Sequence, residues 1–167
     1  VAVLRSENKA ERGDADAYRA ELEEITQSAT PEVKALIAMM DLEQRFMIGD
    51  RDPIRNWHQG RICLLGDAAH PTLQSLAQGA CMAIEDGLHL ANLIHAKGDD
   101  YDAAFTQFTS DRYLRTARVT LESRYIWEFY HGEGIEREVQ YQINKDRNEA
   151  DPYECISWLY DGFPFSS

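Results

Sequence analysis

One run of sequence limits the folds open to this chain: Gly60-Arg-Ile-Cys-Leu-Leu-Gly-Asp-Ala-Ala-His-Pro-Thr-Leu-Gln-Ser-Leu-Ala-Gln-Gly79, continuing into Ala83-Ile-Glu-Asp-Gly-Leu88. The apolar stretch predicts a buried strand over Arg61 to Leu65, stopped by Gly66-Asp67. A loop with one proline and few charges follows, and Gln78-Gly79 opens a long amphipathic helix. A strand end, a carboxylate and a helix N-terminus therefore converge. That combination suits a polar, partly anionic cofactor: Asp67 accepts bonds from hydroxyl groups, and the free N–H groups near Gly79 face an electron-rich oxygen.

The rest of the chain reads as follows. Val1 to Ser6 predicts the end of a strand, and the charged stretch Glu7 to Asp16 a loop. Ala15, Tyr18, Leu22 and Ile25 have helical spacing over Ala15 to Ile25. Thr30-Pro31 marks another helix start, with Thr30 as cap and Pro31 in the first turn. Glu43 to Ile48 predicts a strand and Asp50 to Gly60 a connecting loop. A helix is expected over Gly79 to Ala96, ended by Gly98-Asp99-Asp100, and a second over Tyr101 to Tyr130 with a break near Arg115. Ile135 to Lys145 and a short segment from Pro152 through Trp158 and Leu159 complete the helices. The sequence contains no Gly-x-Gly-x-x-Gly turn after a strand, the device that holds the pyrophosphate in dinucleotide-binding folds.

Composition excludes several classes. A net charge of −12 leaves no basic footprint for nucleic acid. The acidic runs, such as Glu21 to Glu24, read as solvated surface. No apolar stretch is long enough to span a bilayer, and the opening Val1-Ala2-Val3-Leu4-Arg5 is not expected to act as a signal peptide. Cys63, Cys81 and Cys155 are widely spaced and odd in number, which suits reduced thiols and a cytoplasmic location better than a disulfide framework or a zinc site. His89 and His95 are six apart on one helix and do not form a metal-ligating pair; no metal is expected. Glu85 and Asp86 are adjacent, so they are expected on different helix faces rather than as an acid–base pair.

The string Gly66-Asp67-Ala68-Ala69-His70-Pro71, then Gln78-Gly79, then Glu85-Asp86, resembles the Gly-Asp motif of class A FAD-dependent aromatic-ring hydroxylases. Asp52-Pro53-Ile54, Trp57, Gly60-Arg61, Arg112-Tyr113, Arg115-Thr116-Ala117-Arg118 and Trp158-Leu159-Tyr160 also fit. The resemblance covers most of the chain from Arg51 onward and is closest to the group of 3-hydroxybenzoate 6-hydroxylase and salicylate hydroxylase. Complete members are more than twice this length, so the chain looks like their C-terminal portion. The implied fold class is α/β, locally α+β: the C-terminal part of a Rossmann-like flavoprotein monooxygenase, mostly helical after the Gly-Asp strand. The implied organisation is residues 1–50 as the end of the substrate-binding domain, 51–98 as the Gly-Asp FAD-binding segment, and 99–167 as a C-terminal helical region.

The resemblance also implies roles. FAD is the cofactor and NADH the reductant; a small hydroxybenzoate and O2 are the substrates, reacting through a C4a-hydroperoxyflavin. Gly66, Asp67, Gln78, Gly79, Ala80 and Arg61 are the implied flavin-binding residues, with Asp67 on the ribityl chain. For Arg61 a plain surface position is the alternative. Pro71, His70 and Gln74 border the reaction site. His70 orders its loop by hydrogen bonding or, alternatively, transfers a proton; Gln74 faces the aromatic ring and hydrogen-bonds the phenol or peroxide, with a solvated loop glutamine as the alternative. Ser75 stands where nearby relatives carry a larger residue, which implies a wider pocket or a different substrate. Asp86 is implied to tie its helix to neighbouring loops. The expected assembly is a homo-oligomer, with no nucleic-acid or membrane partner. Two other readings stay open: a non-catalytic, self-associating piece, and a hydroxylase of the same class acting on a pyridine.

Overall fold

The computed structural model describes residues 14–42, 46–148 and 151–161. These fall into two units, one up to Ile48 and one from Gly49. The strand expected over Val1 to Ser6 lies outside the described residues, as do residues 43–45 of the strand expected over Glu43 to Ile48; residues 46–48 are not in a strand.

In the first unit, α1 (Ala15–Ile25) starts where Asp14 accepts a hydrogen bond from the Ala17 N–H at 2.9 Å. It buries Glu21 and Leu22. α2 (Pro31–Ala38) begins as the sequence predicts, with an extended Thr30 before Pro31, although the Thr30 side chain makes no capping bond.

The second unit opens with a hairpin. β1 (His58–Gln59) pairs antiparallel with β2 (Ile62–Cys63), His58 opposite Cys63 and Gln59 opposite Ile62. Gly60 takes the positive φ of +57° that the two-residue turn needs. This corrects two expectations. The connecting loop expected through Gly60 contains a strand, and the buried strand expected over Arg61 to Leu65 shrinks to two paired residues. Ile62 is 71% exposed. Among the described residues no further strand lies beside β2, so its apolar side chains lack the covering layer that would bury them.

α3 (Gly79–Lys97) and α4 (Tyr101–Tyr130) form the body of the unit. Gly98, at φ +62°, ends α3, and Asp100 caps α4 by accepting from the Ala103 N–H at 3.1 Å. The short connection makes the two helices antiparallel, so Met82 meets the later part of α4 and Leu93 the earlier part. α4 is continuous; the break expected near Arg115 is absent. Its buried threonines satisfy themselves along the helix: Thr109, Thr116 and Thr120 donate to the carbonyls of Phe105, Arg112 and Thr116.

Two apolar clusters hold the unit. Trp57, Ala69, Leu93, Ala104, Phe105 and Phe108 make the first. Trp57 meets Phe108 edge-on, with ring centroids 5.6 Å apart, and its Nε1 donates to the Ile54 carbonyl at 3.0 Å. Met82, Val119 and Leu159 make the second. α5 (Gly134–Asp146) buries no residue. The single terminal helix expected from Pro152 is two short ones, α6 (Asp151–Glu154) and α7 (Ser157–Tyr160).

Candidate functional site

After β2 the chain enters a short 3-10 turn, Gly66–Ala68. Gly66 is buried with φ +57°, and a Cβ there would sit 3.2 Å from the Ala83 Cβ. The turn therefore needs glycine twice, for its backbone angle and for its close approach to α3.

Asp86 anchors this turn. Its Oδ2 accepts from the Gly66 N–H at 3.0 Å and lies 2.6 Å from His70 Nε2; its Oδ1 accepts from Arg112 Nε at 2.7 Å. Burial pushes the Asp86 carboxyl upward, but the hydrogen bonds from His70 and Gly66 and the charges of His70 and Arg112 outweigh it, so it sits below the usual carboxylate range. An ionised carboxylate only accepts hydrogen bonds, which assigns the shared proton to His70 Nε2. The His70 ring also packs 5.3 Å from Trp57, on the first core cluster.

Arg112 and Asp86 are both fully buried, at 0% exposure. Arg112 also reaches Glu85 Oε2 at 2.6 Å and the Met82 carbonyl at 3.2 Å. Arg115 grips the same Glu85 in a two-pronged contact, 2.8 Å to each oxygen. Burial raises the Glu85 carboxyl, and the Arg115 and Arg112 guanidiniums more than reverse the effect, so it too is lowered. Adjacent carboxylates were expected on separate helix faces. Instead both turn towards α4, where the single Arg112 guanidinium binds Glu85 at 2.6 Å and Asp86 at 2.7 Å.

Asp67 differs from these neighbours. Its side chain is exposed and makes no hydrogen bond or ion pair among the described residues. Its Oδ1 lies 3.9 Å from where a Cβ on Gly79 would stand, and Thr72 Cγ2 lies 3.4 Å from that point. A side chain at position 79 would thus intrude between Thr72 and Asp67. The N-cap of α3 is Gln78, which provides no side-chain capping bond. The first backbone bond of the helix runs from the Met82 N–H to the Gln78 carbonyl. The N–H groups of Gly79, Ala80 and Cys81 consequently have no acceptor within the helix. The free carboxylate accepts hydrogen bonds from hydroxyl groups, and the uncapped helix N–H groups beside it face negative charge.

The intervening loop runs from Pro71, half-buried, into a 3-10 turn at Gln74–Leu76. Gln74 is exposed, whereas Ser75 and Leu76 turn inward. Ala77 follows at φ +54°, a left-handed conformation unusual for a residue with a Cβ. It swings the chain from the loop into α3.

The structure thus brings together Gly66, Asp67, His70, Pro71, Gln78, Gly79 and Ala80, with Gln74 on the connecting loop. Arg61 stands elsewhere. It sits in the hairpin turn with its guanidinium 5.2 Å from the Tyr101 ring centroid, at the start of α4. Tyr101 follows the far end of α3, and a helix of 19 residues is about 28 Å long. Sequence reasoning missed the Arg112–Asp86–Glu85–Arg115 network as a unit. Its only signal is an Arg-x-x-Arg pair at positions 112 and 115, facing adjacent carboxylates on the preceding helix. Among the described residues no group of His, Cys, Asp and Glu is arranged to hold a metal ion, and no helix is long and apolar enough to cross a membrane.

A family model described as an FAD binding domain matches residues 1–123. A 3-hydroxybenzoate 6-hydroxylase from Polaromonas naphthalenivorans is 38% identical over 160 residues, covering 96% of this chain and 40% of that protein. A 6-hydroxynicotinate 3-monooxygenase from Bordetella bronchiseptica is 42% identical over 90 residues, covering 53% of this chain and 24% of that protein. Among solved structures, Klebsiella pneumoniae HpxO complexed with FAD and uric acid superposes with a TM-score of 0.77 at 28% identity, covering 89% of this chain and 39% of that one. The chain spans 40% and 50% of the length of two 3-hydroxybenzoate 6-hydroxylases that it matches over 96% of its own. The architecture is that of the C-terminal part of the flavoprotein monooxygenase fold, mostly helical after the Gly-Asp turn.

Proposed function

This chain belongs to the FAD binding domain family, and on that premise we propose that the Gly66–Asp67 turn and the α3 N-terminus form the ribityl- and flavin-ring-facing half of an FAD site in an aromatic hydroxylase. The observation that carries this reading is the contrast at the turn. Gly66 and His70 are buried and tied to Asp86, while Asp67 is exposed, unpaired among the described residues and set beside Gly79. A turn this firmly held, with one carboxylate left free, suits a ligand rich in hydroxyl groups.

Bound FAD supplies the redox chemistry, with NADH as reductant and O2 as co-substrate. The residues of this chain bind and position. Asp67 accepts from the ribityl hydroxyls. The N–H groups of Gly79 and Ala80 would face the edge of a bound flavin ring and favour negative charge there, and the glycine at 79 would leave room for it. Gln78 lies at the mouth of this N-terminus and orients the approach. Pro71 would border the ring, and the Gln74 amide would donate to the oxygen of a bound phenol. His70, with its Nε2 engaged by Asp86, orders the loop. The substrate class is a small hydroxybenzoate of the 3-hydroxybenzoate or salicylate type, with a hydroxypyridine as the alternative. Residues 1–50 read as the end of the substrate-binding domain, 51–98 as the flavin-binding segment and 99–167 as a C-terminal helical region.

A second reading is that this chain by itself is a non-catalytic, self-associating piece. It draws on the exposed Ile62, Leu65, Ile84 and Leu88, which leave an apolar surface around β2 and α3. Sedimentation across a concentration series, with and without FAD, separates the two. Flavin-independent dimers favour the second reading, and a monomer that binds flavin favours the first.

The enzymatic reading is tested by a chimera. The matching segment of a 3-hydroxybenzoate 6-hydroxylase is replaced by this chain, and NADH oxidation is followed with 3-hydroxybenzoate, salicylate and 6-hydroxynicotinate, together with product analysis. Substrate-triggered oxidation with a hydroxylated product is expected for one of the benzoates. A folded chimera that holds FAD but hydroxylates none of them refutes the assignment.

A further inference from the structure

The segment Ile156–Tyr160 lies beyond residues 1–123, where the family match ends, yet it is wired into the candidate site by two routes. The polar route starts at Arg115. Its Nη1 donates to the Trp158 carbonyl and its Nη2 to the Leu159 carbonyl, both at 3.1 Å, while Nε and Nη2 hold Glu85. Glu85 in turn holds Arg112, Arg112 holds Asp86, and Asp86 accepts the Gly66 N–H. Every link is a charge-assisted hydrogen bond of 3.1 Å or less, and the inner links are buried. The apolar route is shorter. Leu159 is buried against Met82 and Val119, with Ile156, Trp158 and Leu76 packed around them. Met82 ends the first turn of α3, and Leu76 belongs to the 3-10 turn that Gln74 opens.

Trp158 fastens the segment from outside. Its ring carries the Arg118 guanidinium 3.9 Å from the centroid and the Arg115 guanidinium at 5.6 Å. A four-residue helix has too little internal bonding to hold itself in place, so these contacts must do so.

We propose that Ile156–Tyr160 is a positioning strap. Docked on Arg115, Arg118 and Met82, it fixes the geometry of the Gly66–Asp67 turn and of the Gln74 turn without touching the ligand. Its consequence for flavin affinity rests on the reading above. Release of the strap removes the two carbonyl acceptors that steady Arg115. Glu85 and Arg112 then lose their fixed geometry, and Asp86 holds the Gly66 N–H less well. The loss of Leu159 from its cluster loosens Leu76 at the same time.

The test is residue-resolved amide exchange on the isotope-labelled 167-residue chain, comparing wild type with Trp158→Ala and Arg115→Lys. Lysine keeps the charge but cannot span Glu85 and two carbonyls at once. The reference amide is Phe108, in the other core cluster. A merely global loss of stability lowers protection at Gly66 and Phe108 together. The strap predicts that Gly66 exchange rises about tenfold relative to Phe108 in Trp158→Ala, with a smaller rise in Arg115→Lys. Equal changes at both amides, or none at Gly66, overturn it. In parallel, riboflavin is titrated into each protein. Weaker binding by the variants than by wild type is expected; selective Gly66 exposure with unchanged riboflavin affinity overturns the positioning role. Should wild type bind no riboflavin, the flavin reading fails, and the exchange ratio still decides the strap.

Discussion

Replacing Arg112 with methionine removes the cation that bridges Asp86, Glu85 and the Met82 carbonyl. Methionine is close in length and apolar, so the packing loss is small and the effect is mainly electrostatic. Asp86 is wholly buried and would keep only His70 and the Gly66 N–H; Glu85 would keep Arg115. Breaking a buried ion pair from one side costs about 3–5 kcal/mol, and the surviving partners place this case at the lower end, about 3 kcal/mol. For a chain of this size each kcal/mol moves the melting temperature by roughly 2–4 °C, so a fall of roughly 6–12 °C is expected by calorimetry. A double-mutant cycle with Asp86→Asn isolates the pair. Arg112→Met combined with Asp86→Asn should cost less than the sum of the two, with a coupling of about 1–3 kcal/mol. A fall below about 2 °C, well under the expected range, or strict additivity, refutes the view that this network holds the Gly66 turn.

Four further outcomes follow from the same geometry. Asp86 and Glu85 are held below their ordinary values in the folded chain, so the stability they confer is complete above about pH 5 and is lost as the pH falls through 4 and below; melts from pH 7 to 3 should show an acid limb that is shallower in Asp86→Asn. Gly66→Ala meets both a left-handed backbone and the Ala83 methyl, and should cost about 1–2 kcal/mol or more in chemical denaturation. Asp67→Ala removes an exposed side chain with no partner among the described residues and should change stability by less than about 0.5 kcal/mol, while weakening flavin binding about tenfold or more in a fluorescence titration. Gln74→Ala in the chimera should slow hydroxylation and leave FAD occupancy unchanged; normal rate and coupling would remove Gln74 from the reaction site.

What could be read from the sequence follows the range of the interactions. The starts of α2 at Thr30-Pro31 and of α3 at Gln78-Gly79, and the bounds of α4 at Asp100 and Tyr130, are set within one or two turns by caps and apolar spacing, and they stand where the sequence places them. The Gly-Asp turn beside the α3 N-terminus was legible for the same reason. The strand at Arg61 to Leu65 was not, because an apolar run becomes a long buried strand only when other strands and a covering layer exist, and here Ile62 faces solvent. Nor was the continuity of α4 through Arg115. Arg112 and Arg115 point at α3, and their partners lie 26 to 30 residues away. A charge cluster of that range leaves in the sequence little beyond the spacing of its two arginines. The same distance hides the link from Trp158 and Leu159 to the Gly66 turn.

The most direct test of the flavin half-site is a residue-resolved NMR titration of this chain with riboflavin, which carries the ribityl chain and ring and needs no pyrophosphate site. The account predicts weak binding, with amide shifts at Gly66 to Ala69 and at Gln78 to Cys81 and none at Tyr101 to Ala103 beside Arg61. Shifts clustered at that far end, or no shifts at the solubility limit of the ligand, would contradict it.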